Sequence, residues 1–163
     1  TRNGGSVDWG SALLWGFVAT VFLTGIMAGS QGVGLTRMNI PYMLGSILTA
    51  DRDRARLYGL FVHFVNGWLF ALVYAFAFEA WGRAEWWLGV GIGLVQALFV
   101  LTAAMAILPG MHPRMAGEQR GPTPTRQLEP PGFFVLNYGA RTPASIILAH
   151  LVYGAIISAF YAV

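Results

Sequence analysis

Four apolar stretches without an internal Asp, Glu, Lys or Arg constrain this chain more than any other feature of its sequence. They cover residues 9–30, 57–78, 86–108 and 144–163. A hydrocarbon core of roughly 30 Å is crossed by about 20 residues of α-helix, and each stretch reaches that length. The mean hydropathy of +0.58 and the charged fraction of 10% fit no ordinary soluble domain. The sequence therefore predicts an all-α membrane protein, with four transmembrane helices in a single domain that covers residues 1–163.

The distribution of arginine predicts how these helices are oriented, since the chain contains no Lys. Eight arginines lie in the two long segments between spans, residues 31–56 and 109–143, and only Arg2 and Arg83 lie elsewhere. Basic residues concentrate on the cytoplasmic side of a membrane. We therefore expect both long segments to be cytoplasmic loops and both termini to lie outside. The basic character then reflects topology and contact with anionic lipids, and no nucleic-acid partner is predicted.

Two of the spans share a spacing that indicates an internal duplication. HFVNGWLFALVYAF begins at His63 and HLVYGAIISAFYAV begins at His150, and in both a Gly follows the His after four residues. A shift of 77 residues aligns further features: Gly16 with Gly93, Phe22 with Phe99, and Arg37-Met38 with Arg114-Met115. Two spans in each unit predict two tandem parallel helix-pair repeats, related by a pseudo-twofold axis along the membrane normal.

Small residues follow each of these histidines at four-residue spacing, which places them on one helix face. They are Gly67, Ala71 and Ala75 in the second span, and Gly154, Ser158 and Ala162 in the fourth. Lipid tails supply no hydrophobic drive between helices, so small residues favour association by allowing close backbone contact. We expect the second span to pack directly against the fourth through these residues.

His63 and His150 lie at equal depth on these faces, and the sequence leaves three interpretations of their role. Imidazoles inside a membrane need polar partners, and hydrogen bonds between helices would provide them. Alternatively, neutral ring nitrogens would bind haem, a chlorophyll-type pigment or a metal ion, with His112 as a third nitrogen ligand on the same side. The third interpretation is a proton relay or a contact with lipid headgroups. The chain has no Cys, and no carboxylate accompanies the histidines within a span. The sequence therefore favours hydrogen-bonded histidines without a metal or cofactor.

Both long loops contain apolar segments too short to cross a membrane. Asn39 is a suitable N-cap and Pro41 a suitable first-turn residue for a short helix near 40–48, which we expect to lie in the membrane interface. FFVL at 133–136 stands in a loop rich in Pro and Gly, and its exposure to water would be unfavourable. We therefore expect it to lie on the membrane surface, under the bundle or against another protein. An ordered loop of this kind favours contact of 109–143 with other membrane protein subunits, and a flexible linker is the alternative.

The sequence lacks the motifs of phosphate-binding loops, zinc proteases and serine hydrolases, and no span contains paired carboxylates. We therefore expect a non-catalytic integral membrane protein, an accessory or structural subunit of a larger complex, respiratory or photosynthetic by analogy. One alternative is a haem- or pigment-binding subunit for electron transfer or light harvesting that uses His63 and His150. A small transporter is the second alternative, although no charged residue falls at the bilayer midplane, where coupled transporters usually keep one.

GLTRMNIPYMLG at residues 34–45, the two helices with Gly four residues after His, and the four-span length define a resemblance. In these features the chain resembles an uncharacterised family of small bacterial inner-membrane proteins. The resemblance implies a four-helix bundle in the inner membrane of a bacterial cell. It implies no activity and no site residues.

Overall fold

The computed structural model describes residues 6–117 and 120–162 of the chain. Within these residues the fold is mostly helical and contains no strand, which confirms the predicted all-α class. The elements in chain order are α1 (Trp9–Gly32), α2 (Ile40–Gly45), α3 (Arg52–Trp81), α4 (Trp86–Phe99), a π-helical segment (Val100–Ala104), α5 (Met105–Met111), a 3-10 segment (Phe133–Tyr138) and α6 (Thr142–Phe160).

Four stretches of helix in the described residues are long and apolar enough to cross a membrane. They are α1, α3, α6 and the continuous stretch Trp86–Met111. Their most apolar windows are only 22–44% buried, and side chains such as Phe61 and Val95 are 69% and 67% exposed. Lipid tails cover such surfaces without the cost that water would impose. The four predicted apolar helices are confirmed, and their length and composition indicate a multi-pass membrane protein.

The second span begins earlier than the apolar stretch that predicts it. α3 starts at Arg52 instead of residue 57, because the Asp51 carboxylate accepts a hydrogen bond from the Arg54 N–H at 2.8 Å and so caps the helix. Asp53 in the first turn adds a favourable interaction with the helix dipole. The end of a helix is set by its cap, whereas the end of an apolar stretch is set by the hydrocarbon layer.

Asn39 and Pro41 begin α2 as predicted. The Asn39 side chain accepts a hydrogen bond from the Tyr42 N–H at 2.9 Å, and Pro41 stands in the first turn. The helix is shorter than the predicted segment 40–48 and ends at Gly45, where it crosses α3 at Gly59. A Cβ on Gly45 or on Gly59 would lie 1.7 Å or 1.6 Å from a backbone oxygen of the other helix. Only glycine permits this crossing.

The third span contains a π-helical segment between α4 and α5. The Met105 N–H donates to the Val100 carbonyl, five residues earlier in the chain. Four residues further on, Pro109 has no N–H to donate within α5. A π-helical turn adds one residue to the helix and shifts the faces of everything that follows it. The side chains of α5 therefore lie on different faces from those that the regular α-helical spacing of α4 would give them.

The described chain divides into two compact units. The terminal unit contains the described residues of Thr1–Ile26, Phe64–Ala97 and Ile147–Val163, and the loop unit contains those of Met27–His63 and Leu98–Ile146. The terminal unit contains segments of all four spans, and its side chains Tyr74, Phe78 and Tyr153 are nearly or completely buried.

The core of the loop unit mixes apolar and polar side chains. Its buried apolar members are Met38, Met43, Leu101, Met115 and Val135, and its buried polar members include Thr36, Ser46, His112 and Thr142. The polar members are hydrogen bonded, as buried polar groups must be. For example, the Thr142 hydroxyl donates to the Thr36 hydroxyl at 2.7 Å and ties the start of α6 to the segment after α1. The loop unit is therefore an ordered structure rather than a set of linkers.

Candidate functional site

The two histidines predicted as alternative cofactor ligands belong to different units. His63 lies on α3 in the loop unit and is partly exposed. His150 lies on α6 in the terminal unit and is 8% exposed. Its backbone carbonyl packs against Gly93 of α4, where a Cβ would lie 2.3 Å from the carbonyl oxygen. Their role, by hydrogen bonding or by cofactor binding, stays a prediction.

Most of the small residues predicted to pack the helices lie at helix contacts of the terminal unit. Ala71 and Ala75 are fully buried, and Ser158 is only 1% exposed. Ala162 is the exception, since it is exposed beyond the end of α6. A Cβ on Gly67 would meet Thr20 of α1, 2.0 Å from its hydroxyl oxygen, and a Cβ on Gly154 would lie 2.0 Å from the Gly89 carbonyl oxygen of α4. Gly67 therefore faces α1, whereas Gly154 faces α4 and also meets the Tyr74 ring of α3, whose Cε1 would lie 3.3 Å from a Cβ.

Two tyrosines occupy the contact between α3 and α6. The Tyr74 and Tyr153 rings meet edge to face between α3 and α6, with centroids 5.6 Å apart. The Tyr153 hydroxyl donates to the Gly67 carbonyl at 2.5 Å, and the Tyr74 hydroxyl donates to the Gln96 side chain of α4 at 2.8 Å. The second and fourth spans thus contact each other through large aromatic side chains with satisfied hydroxyls.

The contacts of the first and third spans differ by one turn from the register that the sequence predicts. Gly16 packs on Ala71, and Gly89 packs on Ser158. Ala71 and Ser158 correspond when His63 is aligned with His150, but Gly16 and Gly89 are 73 residues apart (89 minus 16) instead of 77. Four residues are about one helical turn. Gly89 makes this contact, whereas Gly93, which the sequence aligns with Gly16, packs on the His150 carbonyl. The duplication stays a prediction.

His112 connects the end of α5 to the end of α2, although the sequence suggested it only as a further cofactor ligand. It is completely buried. Its Nε2 lies 3.0 Å from the Met43 carbonyl oxygen and 3.2 Å from the Ser46 hydroxyl, and its Nδ1 accepts the Arg114 N–H at 3.1 Å. Because Nδ1 accepts, the proton sits on Nε2, and both nitrogens are engaged within the loop unit.

Burial is the main cause that lowers the pKa of His112 below its usual value, and the positive charge of Arg114 lowers it further. The hydrogen bond to the Met43 carbonyl opposes these effects. The ring is therefore neutral at pH 7. A proton added to Nδ1 would face the Arg114 N–H and break that hydrogen bond.

Arg37 and Arg114, which the predicted duplication aligns, make corresponding contacts within the loop unit. The Arg114 guanidinium donates to the Ser46 and Ile47 carbonyls, which follow α2. The Arg37 guanidinium donates to the Asn137 carbonyl at the end of the 3-10 segment and pairs with Glu129 at 3.1 Å. Each arginine thus binds the carbonyls at the end of the short helix in the other loop. The methionine after each one is buried, with Met38 3% and Met115 0% exposed.

A cleft of about 690 Å³, which we name the basic cleft, opens beside Arg114 in the loop unit. The residues that line it with polar groups are Tyr42, Ser46, Arg52, Arg114, Thr125 and Gln127. Among the described residues along its wall there is no Asp or Glu. The cleft therefore offers hydrogen-bond donors and positive charge, which favour an anion.

A second groove of about 650 Å³, the Phe133 groove, is lined by Met105, Pro109, Arg120, Gly132, Phe133 and Asn137. The Phe133 side chain is 85% exposed. It stands on a turn in which Phe134 and Val135 have positive φ values of 52° and 62°, a conformation that β-branched and bulky residues rarely adopt. The completely buried Val135 side chain holds this turn against the loop-unit core.

Hydrogen bonds on the other side of this turn fix it further. The Asn137 side chain donates to the Pro130 carbonyl at 2.9 Å, and the Tyr138 hydroxyl donates to the Glu129 carbonyl at 2.6 Å. Burial and the neighbouring Glu129 charge raise the pKa of Tyr138 to about 12, so its hydroxyl remains a donor at physiological pH. Gly132 is required because its φ is +71° and the Asn137 side chain occupies the space of a Cβ.

These features define the class of the protein. It is a helical multi-pass membrane protein with an ordered loop unit, a basic cleft and an exposed aromatic side chain on a strained turn. In the part of the chain that the structure describes, no three His, Asp or Glu side chains are grouped as metal ligands. No protein-family model, curated protein or solved structure matches the chain. The resemblance to a bacterial inner-membrane family therefore stays a prediction from its motifs.

Proposed function

We propose that the chain is a non-catalytic subunit of a larger membrane protein complex, and that it binds its partner through the 109–143 loop with Phe133 in the contact. The observation that carries this proposal is the 85% exposure of Phe133 on an ordered turn. Full burial of a Phe side chain is worth about 1.5–3 kcal/mol relative to exposure in water. A partner that covered this ring would recover that free energy.

The strain in the turn favours this role over that of a flexible linker. Each residue in a sparsely populated backbone region costs about 1–3 kcal/mol, and Phe134 and Val135 are both in the left-handed region. A linker would relax to ordinary conformations. Here burial of Val135 and the hydrogen bonds of Asn137 and Tyr138 maintain the strained turn, and the result is a fixed position for Phe133.

We place the chain in the inner membrane of a bacterial cell, with both termini outside and both long loops in the cytoplasm. The eight arginines of those loops, against two elsewhere, support this orientation. In this arrangement the loop unit faces the cytoplasm, and α2 lies at the membrane interface. The partner would then bind from the cytoplasmic side.

The proposed helix-pair duplication is supported by the reciprocal contacts of Arg37 and Arg114. Under a twofold relation, each copy of an interaction between the two repeats occurs twice, once in each direction. Arg114 binds the end of α2, and Arg37 binds the end of the 3-10 segment. Two equivalent arginines that exchange partners in this way are what a parallel duplication produces.

The test is photo-crosslinking from position 133 in native membranes. A photoreactive phenylalanine analogue in place of Phe133 should give one discrete heteromeric product. The same analogue in place of Val33, an apolar residue of the loop unit with a similar exposure of 73%, provides the control. Equal products from both positions, or none from position 133, would contradict the proposal.

The purified fraction also tests the cofactor alternative. If His63 and His150 bound haem or a chlorophyll-type pigment, the fraction would absorb visible light, and both His63→Gln and His63→Leu would lose that absorbance. We expect a colourless protein in which His63→Gln, which retains hydrogen-bonding groups, is tolerated better than His63→Leu.

A further inference from the structure

We propose that the basic cleft binds the phosphate of an anionic phospholipid headgroup, a function that goes beyond partner binding by the 109–143 loop. Two arginines line the cleft, Arg52 at the start of α3 and Arg114 after α5. Arginine presents N–H groups in a planar fork that matches two oxygens of a phosphate. The hydroxyls of Tyr42 and Thr125 add uncharged hydrogen-bonding groups.

Arg114 is held in place before any ligand arrives. One terminal nitrogen of its guanidinium, Nη1, donates to the Ser46 and Ile47 carbonyls, which fixes the orientation of the planar group. Arg52 lies over the Tyr42 ring, with its guanidinium carbon 5.7 Å from the ring centroid. A pre-oriented arginine loses less conformational entropy when it binds an anion.

The acidic residues near these segments are engaged elsewhere. Asp51 caps α3 by accepting the Arg54 N–H at 2.8 Å, Asp53 lies 3.8 Å from Arg56, and Glu129 pairs with Arg37 at 3.1 Å. None of them lines the cleft. Its positive charge is therefore not neutralised by a carboxylate on its wall.

The positions of the two arginines favour a lipid as the source of the phosphate. Arg52 is the first residue of one membrane-spanning helix, and Arg114 follows Met111, the last residue of another, by three positions. Phospholipid phosphates lie where spans meet the aqueous phase, and basic pockets there bind lipid headgroups. The cleft volume of about 690 Å³ exceeds that of a phosphate group and leaves room for the glycerol of the headgroup.

The experiment measures lipid binding to the full chain in a neutral detergent by native mass spectrometry, with phosphatidylglycerol, phosphatidylcholine and inorganic phosphate as separate probes. We expect phosphatidylglycerol to saturate at one tightly bound molecule. Arg52→Gln and Arg114→Gln should each weaken this binding about fivefold or more, as expected for the loss of one arginine near a membrane surface. Arg83→Gln changes an exposed arginine of the terminal unit and should leave binding unchanged.

The outcomes distinguish the sources of the phosphate. Equal weakening by Arg83→Gln would show general electrostatic attraction and overturn the site. Equal binding of phosphatidylcholine would overturn the preference for anionic lipids, and tight arginine-dependent binding of inorganic phosphate would overturn the lipid assignment. Arg114→Gln also removes hydrogen bonds of the fold, so Arg52→Gln decides the result: unchanged affinity in a folded Arg52→Gln variant would refute the proposal.

Discussion

The imidazole of His112 joins two segments of the loop unit through both of its ring nitrogens. One nitrogen binds the end of α2 and the other accepts the Arg114 N–H. The arrangement needs the neutral ring with its proton on Nε2. Protonation of Nδ1 would therefore remove the acceptor for the Arg114 N–H, so these hydrogen bonds can form together only while the ring is neutral.

The stability of the protein should fall when His112 is forced to take up a proton. The folded pKa of His112 is lowered from 6.5, so the unfolded chain binds the proton more readily. The stabilisation by neutral His112 is fully present above pH 6.5 and is lost as the pH falls through the lowered pKa of the folded state. Unfolding temperatures in detergent, measured from pH 7.5 to pH 5, should decrease more steeply for the parent than for His112→Gln.

His112→Gln serves as the control for this titration because it keeps an N–H donor but has no group that titrates in this range. Its unfolding temperature at pH 7.5 should be lower than that of the parent, since glutamine has no acceptor at the position of Nδ1, which binds the Arg114 N–H. Parallel pH profiles for the two proteins would rule out His112 as the source of the pH dependence.

The importance of His112 could not be predicted from its own surroundings in the sequence. MHPRM at residues 111–115 reads as the polar end of a span. The acceptor at Met43 lies 69 residues earlier in the chain, and no local pattern marks a backbone carbonyl as a partner. The alignment of Arg37-Met38 with Arg114-Met115 was the one available signal, because it singled out the residues that follow His112.

Among the helices, close crossings depend on particular glycines and not on glycine content in general. Gly89 and Gly91 stand two residues apart in α4, on different faces. A Cβ on Gly89 would lie 2.1 Å from the Ser158 hydroxyl oxygen and 2.2 Å from the Gly154 carbonyl oxygen, whereas nothing lies within 4 Å of a Cβ on Gly91. The pair therefore separates the effect of packing from that of helix propensity.

Gly89→Ala should destabilise the protein by about 1–3 kcal/mol, the usual cost of overpacking a close contact. Gly91→Ala should be neutral or slightly stabilising, because Ala favours helix over Gly by about 1 kcal/mol. Thermal unfolding in one detergent compares the two variants with the parent. A Gly89→Ala variant as stable as Gly91→Ala would show that α4 and α6 do not approach as closely as described.

The helices that cross the membrane could be predicted from sequence because the thickness of the hydrocarbon layer imposes a length and excludes charge. The partners of each helix could not. The spacing of Gly67 and Gly154 showed that both faces allow close contact, but the contact of α3 with α6 is made by Tyr74 and Tyr153. Which small face meets which neighbour depends on where large side chains fit, and periodicity carries no information on that.

The conformation of the turn that carries Phe133 could also not be predicted from the sequence. The apolar run at 133–136 predicted a contact surface, and Pro and Gly predicted an irregular backbone. The positive φ values fall on Phe134 and Val135, residues with no preference for that region. Tertiary contacts of the loop unit determine them.

For the whole molecule, the predicted topology can be tested directly because the chain contains no cysteine. A single introduced cysteine is then the only thiol that can be labelled. Glu85→Cys, in the short exposed turn between α3 and α4, should react with a membrane-impermeant maleimide in intact cells. Thr125→Cys, in the exposed part of the 109–143 loop, should react only after the membrane is opened. The reverse pattern would invert the orientation argued from arginine.

The contact of Arg37 with the second loop also limits when the first loop can reach its final conformation during synthesis. Arg37 follows the first span, but the carbonyl that its guanidinium binds belongs to Asn137, which is 100 residues later in the chain. A ribosome delivers residues from the N-terminus onward, so the first two helices can enter the membrane well before this acceptor exists. During that interval Arg37 lacks both of its partners in the second loop, the Asn137 carbonyl and the Glu129 carboxylate. The first loop therefore reaches its final conformation only after the last loop has been synthesised. A chain that stops after the second span lacks the carbonyl that Arg37 binds.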